Sequence, residues 1–259
     1  MYIREIAIAA ALRAGAVLKE NLGGERRLSF KGAVDIVTEM DIRAEDIIVS
    51  LIRENFPSHG ILTEEGEGKK AASSRCRWII DPLDGTTNYA HGFPIFNISI
   101  AFEEAGEVVL GVVYAPMLDE MFVAEKGKGA FLNNKPISVS RVSTLDKSLL
   151  ATGFPYDIRT NERNNLAEFS LFAKRAQAIR RAGAAALDLA YVAAGRFDAF
   201  WEMRLKPWDV AAAALMVKEA GGVITGFDKS PFTVDTGDVL ASNGLVHDEM
   251  SSILTKARG

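Results

Sequence analysis

The first third of the chain contains two apolar stretches with the spacing of amphipathic helices. Residues 2–22 are rich in alanine, with charged residues spaced through them, and two glycines follow. Residues 38–56 carry apolar side chains three and four positions apart, and Pro57 follows. This spacing places apolar side chains on one face of a helix, and glycine or proline ends such a helix. We therefore predict two helices, joined by a mostly polar connection at residues 25–31.

The middle of the chain changes to short β-branched and aromatic runs, which are typical of strands. Glycine and proline bound these runs, and Gly106, Gly127 and Gly129 mark turns between them. Consecutive strands joined by short turns pair antiparallel, so we expect a mostly antiparallel sheet packed against the two helices. The predicted strands are residues 61–64, 78–81, 95–102, 108–114, 121–124 and 137–139.

The last third alternates strand and helix patterns, which favours an α/β arrangement. We expect an N-terminal α+β half at residues 1–145 and a C-terminal α/β half at residues 146–259, within one compact unit of helices layered against two sheets. The predicted strands of the second half are residues 149–153, 197–202, 223–225 and 239–241, and its predicted helices are residues 162–176, 184–195, 208–220 and 247–256.

Composition and charge exclude several classes of protein. The 259 residues are 48% hydrophobic and 25% charged, which is typical of a globular chain and not of a disordered or fibrous one. A net charge of −4 gives no reason to expect nucleic-acid binding. No apolar run reaches the roughly 18 to 20 residues of a membrane span, and none resembles a signal-peptide core. Cys76 is the only cysteine, so a thiolate zinc cage is excluded, and we expect a cytoplasmic protein.

Three segments place acidic residues beside apolar elements. Glu64 follows one apolar run, Asp81 and Asp84 follow the run at residues 78–80, and Asp209 opens an alanine-rich segment. Each of these acids alone has an ordinary explanation, as a solvated loop residue, a turn residue or a helix cap. Their repetition at the ends of apolar elements favours a shared acidic site.

The segment after residues 78–80 combines two carboxylates with a loop suited to an anion. Gly85 permits close backbone approach, and the following residues can open a helix whose free N–H groups face an anion. Carboxylates repel a phosphate unless a cation lies between them, and oxygen ligands favour Mg²⁺. Two such ions can clamp the attacking and leaving oxygens of a phosphoryl transfer. These residues therefore indicate magnesium-dependent chemistry on a phosphate.

Taken in order, these segments resemble the inositol monophosphatase family. The motif at residues 78–88 is highly specific, and the motifs at 64–66 and 208–212 are specific in this order. Further similarities at residues 127–131 and 219–222 extend the resemblance over essentially the whole chain. The resemblance implies an α/β/α/β/α layered sandwich, shared with fructose bisphosphatases, and a homodimer. It also implies Mg²⁺-dependent, lithium-sensitive hydrolysis of a phosphate monoester.

The resemblance also implies a set of metal ligands. The first Mg²⁺ would be held by Glu64, Asp81 and the carbonyl of Leu83, and the second by Asp81, Asp84 and Asp209. A third, weaker Mg²⁺ would again use Glu64, which would thereby take part in catalysis. Asp84 would also lie against the substrate.

Other residues receive catalytic and substrate-binding roles by the same resemblance. The backbone N–H groups of Gly85 and Thr86 would bind phosphate, and Thr86 paired with Asp41 would position and deprotonate the metal-bound water. Glu202 would contact substrate hydroxyls. Lys31 would lie in a mobile loop that joins the site when metal binds.

Two details bear on the choice of substrate. Many family members read Gly-Ser/Thr-Ala-Ala where this chain has Ala184 after Gly183, so a hydroxyl beside the expected pocket is absent. Either this absence changes the substrate, or backbone N–H groups make the contact and little changes. Thr87 followed by Asn88 favours the inositol phosphate branch. Relatives acting on adenosine bisphosphate or histidinol phosphate usually carry Lys or Arg at the position of Thr87, after the first Thr of this motif. Fructose bisphosphate and other sugar or nucleotide phosphates stay open as alternatives.

Two further classes of protein are alternatives to an enzyme. A protein-binding accessory factor on a phosphatase fold, such as a partner of transcription or ribosome-assembly machinery, has no reason to keep four acidic ligands. A structural cation site of the EF-hand type needs ligands within one loop, whereas those here run from Glu64 to Asp209. Ligands spread over the chain suit an active-site cleft better.

Overall fold

Helices and sheets alternate in five layers. The structure, a computed structural model, contains a seven-stranded sheet, a five-stranded sheet and a two-stranded ribbon in the part of the chain that it describes. One pair of helices covers the larger sheet, a second pair lies between the two sheets, and a third pair covers the smaller sheet. The predicted layered sandwich is therefore present. The described residues are 2–23, 28–30, 36–66 and 75–257.

The first two helices pack on each other and on the larger sheet. These N-terminal elements are α1 (Tyr2–Asn21), β1 (Leu28–Phe30), β2 (Ile36–Thr38) and α2 (Glu39–Asn55). A capping box begins α2: the Thr38 hydroxyl accepts the Met40 N–H, and the Asp41 carboxylate accepts the Thr38 N–H. The connection predicted at residues 25–31 instead contains strand β1, although only part of that segment is described.

The larger sheet is antiparallel except at one edge. Its strands are β3 (Gly60–Thr63), β4 (Cys76–Asp84), β5 (Asn97–Glu104), β6 (Glu107–Ala115), β7 (Glu120–Glu125), β8 (Gly129–Leu132) and β9 (Lys135–Pro136). Only the β3–β4 pair is parallel among the described strands of this sheet. A Cβ added at Gly111 would lie 2.3 Å from the Ala212 carbonyl oxygen, so the glycine lets the helix that carries Ala212 rest directly on the sheet.

The second half of the chain builds the smaller sheet and most of the remaining helices. Its elements are β10 (Leu149–Thr152), α4 (Leu166–Ala173), β11 (Ala178–Arg180), α5 (Ala185–Ala193), β12 (Ala199–Glu202), α6 (Pro207–Glu219), β13 (Val223–Gly226), β14 (Val239–Ser242) and α7 (His247–Lys256). The short helix α3 (Thr86–Ala90) belongs to the first half and follows β4. The strand order is β11-β10-β12-β14-β13, with β10 parallel to both neighbours and the other pairs antiparallel.

Helices α5 and α6 form the middle layer and are buried on nearly all sides. Alanine dominates both helices, so the two sheets can approach them closely. An all-round apolar helix is either a core helix or a membrane span. Lengths of 9 and 13 residues are too short to span a bilayer. Across the described residues, no helix combines the length and the apolar character that crossing a membrane requires.

The strand predicted at residues 137–139 is absent, because these residues satisfy their backbone differently. The Val139 N–H donates to the carbonyl of Ala220 at the end of α6, and Ile137 and Val139 pack against the central core. The Ile137 N–H still donates to the carbonyl of Ala130 in β8 at 2.9 Å, so only the start of this segment touches the sheet, and its alternating pattern mainly reflects burial. The helix predicted at residues 162–176 is shorter than expected: α4 covers only Leu166–Ala173, and strand β11 begins shortly after the predicted end.

Candidate active site

A cavity of about 440 Å³ opens where the carboxyl ends of β4, β10 and β12 meet the amino ends of α3, α5 and α6. Asp41 lies behind its wall and contacts it through Thr86. Lys31 lies outside the described residues. The structure therefore brings all the other predicted site residues to one place. Those that line the cavity are Glu64, Asp81, Leu83, Asp84, Gly85, Thr86, Ala184, Glu202 and Asp209.

A β-bulge places Asp81 and Asp84 on one face of the sheet. Residues three apart on a regular strand point to opposite faces. Here Asp81 pairs with Ser99 and Asp84 with Asn97, so three steps on β4 oppose two on β5. Pro82, which has no N–H to donate, sits inside this irregularity. Both carboxylates can consequently face the same cavity.

Asp81 is buried at the centre of the acidic group. Its Oδ1 accepts the Leu83 N–H at 3.0 Å, which fixes the carboxylate against its own strand. Burial raises the pKa of Asp81 well above its ordinary value, and the negative charges of Glu64, Asp84 and Asp209 raise it further. Four carboxyl groups therefore act on one another electrostatically.

Asp84 is held by the amino end of α5. Its oxygens accept the N–H groups of Ala185 at 3.1 Å and Ala186 at 2.8 Å, and the Asn97 amide at 2.8 Å. The cap position of α5 is Ala184, whose side chain has no acceptor, so Asp84 supplies the acceptors that the helix needs. Burial raises the pKa of Asp84, and these hydrogen bonds oppose the rise.

Thr86 and Asp41 form a hydrogen-bonded pair beside these carboxylates. The Thr86 hydroxyl lies 2.8 Å from Asp41 Oδ1 and 3.0 Å from the Leu83 carbonyl oxygen. Asp41 Oδ2 accepts the N–H and the hydroxyl of Thr38, so this single carboxylate both caps α2 and orients Thr86. Gly85, directly before Thr86, has a φ of 94°, a left-handed conformation that favours glycine.

The opposite wall of the cavity carries Asp209 and Glu202. Asp209 caps α6 by accepting the Lys206 N–H at 2.7 Å, and burial raises its pKa well above the ordinary value. Burial also raises the pKa of Glu202 to about 8; Arg181 opposes the rise and Asp84 adds to it. A Cβ at Gly153 would lie 2.1 Å from the Glu202 carboxylate, so this glycine makes room for it.

The donor set fits a hard divalent cation. Within the described part of the chain, no three His, Cys, Asp or Glu side chains are grouped as a complete ion cage, so the fit is judged from the donor types that line the cavity. The described cavity wall offers carboxylate, carbonyl and hydroxyl oxygens, with no thiolate or imidazole. The raised pKa values of Asp81 and Asp209 reflect burial and mutual repulsion, which a bound cation relieves.

The model of the inositol monophosphatase family matches residues 2–258. The chain belongs to this family. It is 45% identical over 251 residues to the inositol-1-monophosphatase of Synechocystis sp., covering 96% of this chain and 88% of that protein. It is also 45% identical to the Nus factor SuhB of Pseudomonas aeruginosa, covering 92% of this chain and 90% of that one. The solved inositol monophosphatase of Anabaena (Nostoc) sp. superposes with a TM-score of 0.90 at 44% identity, covering 98% and 96% of the two chains.

Membership of the inositol monophosphatase family confirms the predicted fold and the phosphatase class. The family motifs did not reveal two buried polar residues at this site, Asn97 and Asp188. Asp188 lies in the first turn of α5 and its Oδ1 has no hydrogen-bond partner among the described residues. Burial raises its pKa well above the ordinary value, as do the charges of Glu202 and Asp84. The available signal was a polar residue inside an otherwise apolar run.

Proposed function

We propose that this chain hydrolyses a phosphate monoester with Mg²⁺, and that its substrate is a myo-inositol monophosphate. The observation that carries the proposal is the single cavity lined by Glu64, Asp81, Asp84 and Asp209, with Thr86 at its edge. The names of relatives such as the Synechocystis inositol-1-monophosphatase support the substrate. Lithium inhibition, a homodimer and a cytoplasmic location belong to the proposal and rest on the family resemblance.

Two to three Mg²⁺ ions would be held by the four carboxylates and the carbonyl of Leu83. Bound Mg²⁺ would lower the pKa of a water so that it can lose a proton and attack near neutral pH, and would neutralise the charge of the phosphate. The backbone N–H groups of Gly85 and Thr86 are available to the phosphate at the turn that opens α3. The chain therefore contributes mainly position and charge, and needs no covalent nucleophile.

Proton removal falls to Thr86 and Asp41. The Thr86 hydroxyl donates a hydrogen bond to Asp41 Oδ1, so its oxygen can accept one from the attacking water. As that water passes a proton to the Thr86 oxygen, the hydroxyl proton of Thr86 passes to Asp41. Burial raises the pKa of Asp41 above its ordinary value, although hydrogen bonds from Thr38 and Thr86 oppose this. A raised pKa makes the carboxylate a better proton acceptor near neutral pH.

The wall around Glu202 suits a polyol. A carboxyl group with a pKa of about 8 is mostly protonated at neutral pH, so it can both donate to and accept from substrate hydroxyls. Arg181 and Gly153 line the same side of the cavity. Asn88 holds the loop before α5 by donating to the carbonyls of Ile95 and Ala182. Asn88 therefore fixes this loop, whereas its neighbour Thr87 lines the cavity.

A substrate panel tests the proposal. Phosphate release is measured for inositol monophosphate, fructose bisphosphate and adenosine bisphosphate, each with Mg²⁺, with a chelator, and with added Li⁺. We expect hydrolysis of inositol monophosphate that needs Mg²⁺ and falls with Li⁺. A clear preference for adenosine bisphosphate would overturn the substrate, and turnover in the chelator would overturn the metal-dependent mechanism.

A protein-binding accessory role is the second candidate, favoured by relatives named Nus factor SuhB. The two candidates make different demands on the cavity. Replacement of Asp84 by asparagine should abolish hydrolysis, whereas a role in binding would survive it. Comparing this variant with the wild type for hydrolysis and for retention of protein partners separates the candidates. Hydrolysis at the wild-type rate by the Asp84→Asn variant would contradict the enzymatic proposal.

A further inference from the structure

Asn97 is a polar residue in the strand that pairs with the metal-site strand. It opens β5, its side chain is 0% exposed, and it lies directly across from Asp84 at the bulge. The neighbouring strand positions are mainly apolar. A fully buried amide in such a strand needs hydrogen bonds to offset its lost hydration.

The Asn97 amide meets that need on one side only. Its Nδ2 donates to Asp84 Oδ2 at 2.8 Å, whereas its Oδ1 has no hydrogen-bond partner among the described residues. The opposite orientation of the amide would place its oxygen against the carboxylate. The charge-assisted hydrogen bond therefore fixes the orientation, at the cost of an unsatisfied buried oxygen. Such a residue is not the best choice for folding alone.

Counting acceptors shows what this hydrogen bond does to Asp84. Each carboxylate oxygen offers roughly two lone pairs. Oδ2 accepts both Asn97 Nδ2 and the Ala186 N–H, each at 2.8 Å, and Oδ1 accepts the Ala185 N–H at 3.1 Å; the Leu187 N–H also donates to this carboxylate. Asn97 thus completes the hydrogen bonding of Oδ2, which makes the two shorter contacts, whereas the contact of Oδ1 with Ala185 is longer.

We propose that Asn97 is a positioning residue that saturates Oδ2 of Asp84 and so directs a divalent cation to Oδ1. The inference rests on the proposed function, because it assumes that Asp84 binds Mg²⁺. Groups that orient a metal ligand by hydrogen bonding typically change metal affinity by about 10- to 100-fold when removed. Asn97 never touches the ion or the substrate in this scheme.

Three variants separate positioning from packing. Asn97→Ala removes the donor and leaves a gap, whereas Asn97→Leu removes the donor and keeps a similar volume. Asn243→Ala is the matched control, since its buried amide donates to Ser140 Oγ at 2.9 Å and the Val142 carbonyl at 2.7 Å, away from the cavity wall. Asn97→Leu carries the test if Asn97→Ala does not fold.

The measurement is Mg²⁺ binding by isothermal titration calorimetry, with thermal unfolding of the ion-free proteins alongside. We expect both Asn97 variants to bind Mg²⁺ about 10- to 100-fold more weakly, with Asn97→Leu unfolding closer to the wild-type temperature than Asn97→Ala. Asn243→Ala should keep wild-type Mg²⁺ affinity and unfold at a lower temperature. In activity assays, the Mg²⁺ concentration for half-maximal rate should rise more than kcat falls.

Failures of this inference and of the proposed function differ in outcome. Wild-type Mg²⁺ affinity in Asn97→Leu would overturn the positioning role and leave the proposed function standing. No Mg²⁺ uptake by the wild type would overturn the proposed function and with it the positioning role.

Discussion

Asp41 shows how one side chain can serve a helix and a reaction together. Its spacing from Thr38 reads as an ordinary capping pair, and the structure contains that capping box. The same carboxylate reaches Thr86, 45 positions along the chain, with its other oxygen. Sequence spacing alone indicates only the cap, so the second contact was expected solely from the family resemblance.

Replacing Asp41 by asparagine should separate these two duties. The amide oxygen can still accept one hydrogen bond at the start of α2, but it cannot take up a proton from Thr86. We expect kcat to fall by about 10²- to 10⁴-fold, the usual range for a lost acid–base group, with Mg²⁺ affinity retained. Single-turnover phosphate release and calorimetry measure the two quantities.

Asp46→Asn is a suitable control for this variant. Asp46 is an exposed acid on the same helix, so its replacement removes one negative charge without reaching the cavity. Its kcat should match the wild type. If Asp41→Asn also keeps the wild-type kcat, Asp41 serves only the helix.

The acidic residues of the site were predictable and the polar residues behind them were not. The metal-site acids lie at the end of an apolar run or, for Asp209, at the start of one, which is a local signal. Asn97 and Asp188 become interpretable only with their neighbours: Asn97 meets Asp84 through strand pairing and Asp188 lies near Glu202 through helix packing. Contacts between distant segments leave no spacing pattern in a single sequence.

At the scale of elements, a prediction succeeded where a helix or strand was long enough to show a regular spacing of its apolar residues. Long periodic segments such as α1 and α2 were predicted within a few residues of their ends. The two- to four-residue strands β8, β9 and β11 were missed because so few positions show no period. The bulge in β4 was also not predicted, although Pro82 inside the run pointed to an irregular strand.

Gly153, which follows β10, tests how closely two elements must approach. An added methyl group at Gly153 would meet the carboxylate end of Glu202, which is flexible, and not the backbone. We expect Gly153→Ala to fold with nearly wild-type stability but to displace Glu202, raising KM for inositol monophosphate several-fold with a smaller change in kcat. Steady-state kinetics with denaturant unfolding measures both.

Gly111→Ala provides the contrast for this variant. Its added methyl group would meet the backbone of Ala212 in α6, which cannot move aside cheaply. It should lose stability by about 1 to 3 kcal/mol, as overpacked cores do. An unchanged KM in Gly153→Ala would mean that Glu202 does not contact the substrate.

At the scale of the whole molecule, the layers were predictable because the two halves of the chain differ in pattern. Short consecutive strand-like runs fill much of the first half, whereas strand and helix patterns alternate in the second. Residues 60–136 build the larger sheet and residues 149–242 the smaller one. The division into halves near residue 145 stays a prediction, since helices α5 and α6 contact both sheets. Because both sheets pack on this middle layer, we expect the two halves of the chain to unfold together.

His247 links the last helix to the smaller sheet and makes stability depend on pH. Its ring nitrogens lie 2.9 Å from Ser242 Oγ and 3.0 Å from Thr225 Oγ1. Burial lowers the pKa of His247 below its ordinary 6.5; Asp248 opposes this and Lys229 adds to it. The unfolded chain therefore binds the proton more readily. The contribution of His247 to the free energy of unfolding is fully present above pH about 6.5 and is lost as the pH drops toward the folded pKa.

A His247→Gln variant tests this link. Glutamine keeps hydrogen-bonding capacity but cannot titrate, so its free energy of unfolding should vary less between pH 7.5 and 5.5 than that of the wild type. The difference in slope should be at most about 1.4 kcal/mol per pH unit, the value for one proton. Urea unfolding at several pH values measures it. Parallel pH profiles for the two proteins would contradict the assignment.

The acidic cavity makes stability depend on magnesium as well. Without cations, burial and the charges of Asp84 and Glu64 raise the pKa of Asp209, so carrying its charge costs folding energy. In a chelator, Asp209→Asn should therefore be at least as stable as the wild type.

Saturating Mg²⁺ should reverse that order. Binding to the folded state at 100 times Kd adds about 2.7 kcal/mol to the free energy of unfolding, and only the wild type retains the full ligand set. Thermal unfolding of both proteins across a Mg²⁺ series, at fixed ionic strength with KCl, separates binding from charge screening. Equal shifts in the two proteins would exclude Asp209 from the metal site. Crossing stability curves would link the mutual repulsion of these buried carboxylates to the cation that this cavity is proposed to hold.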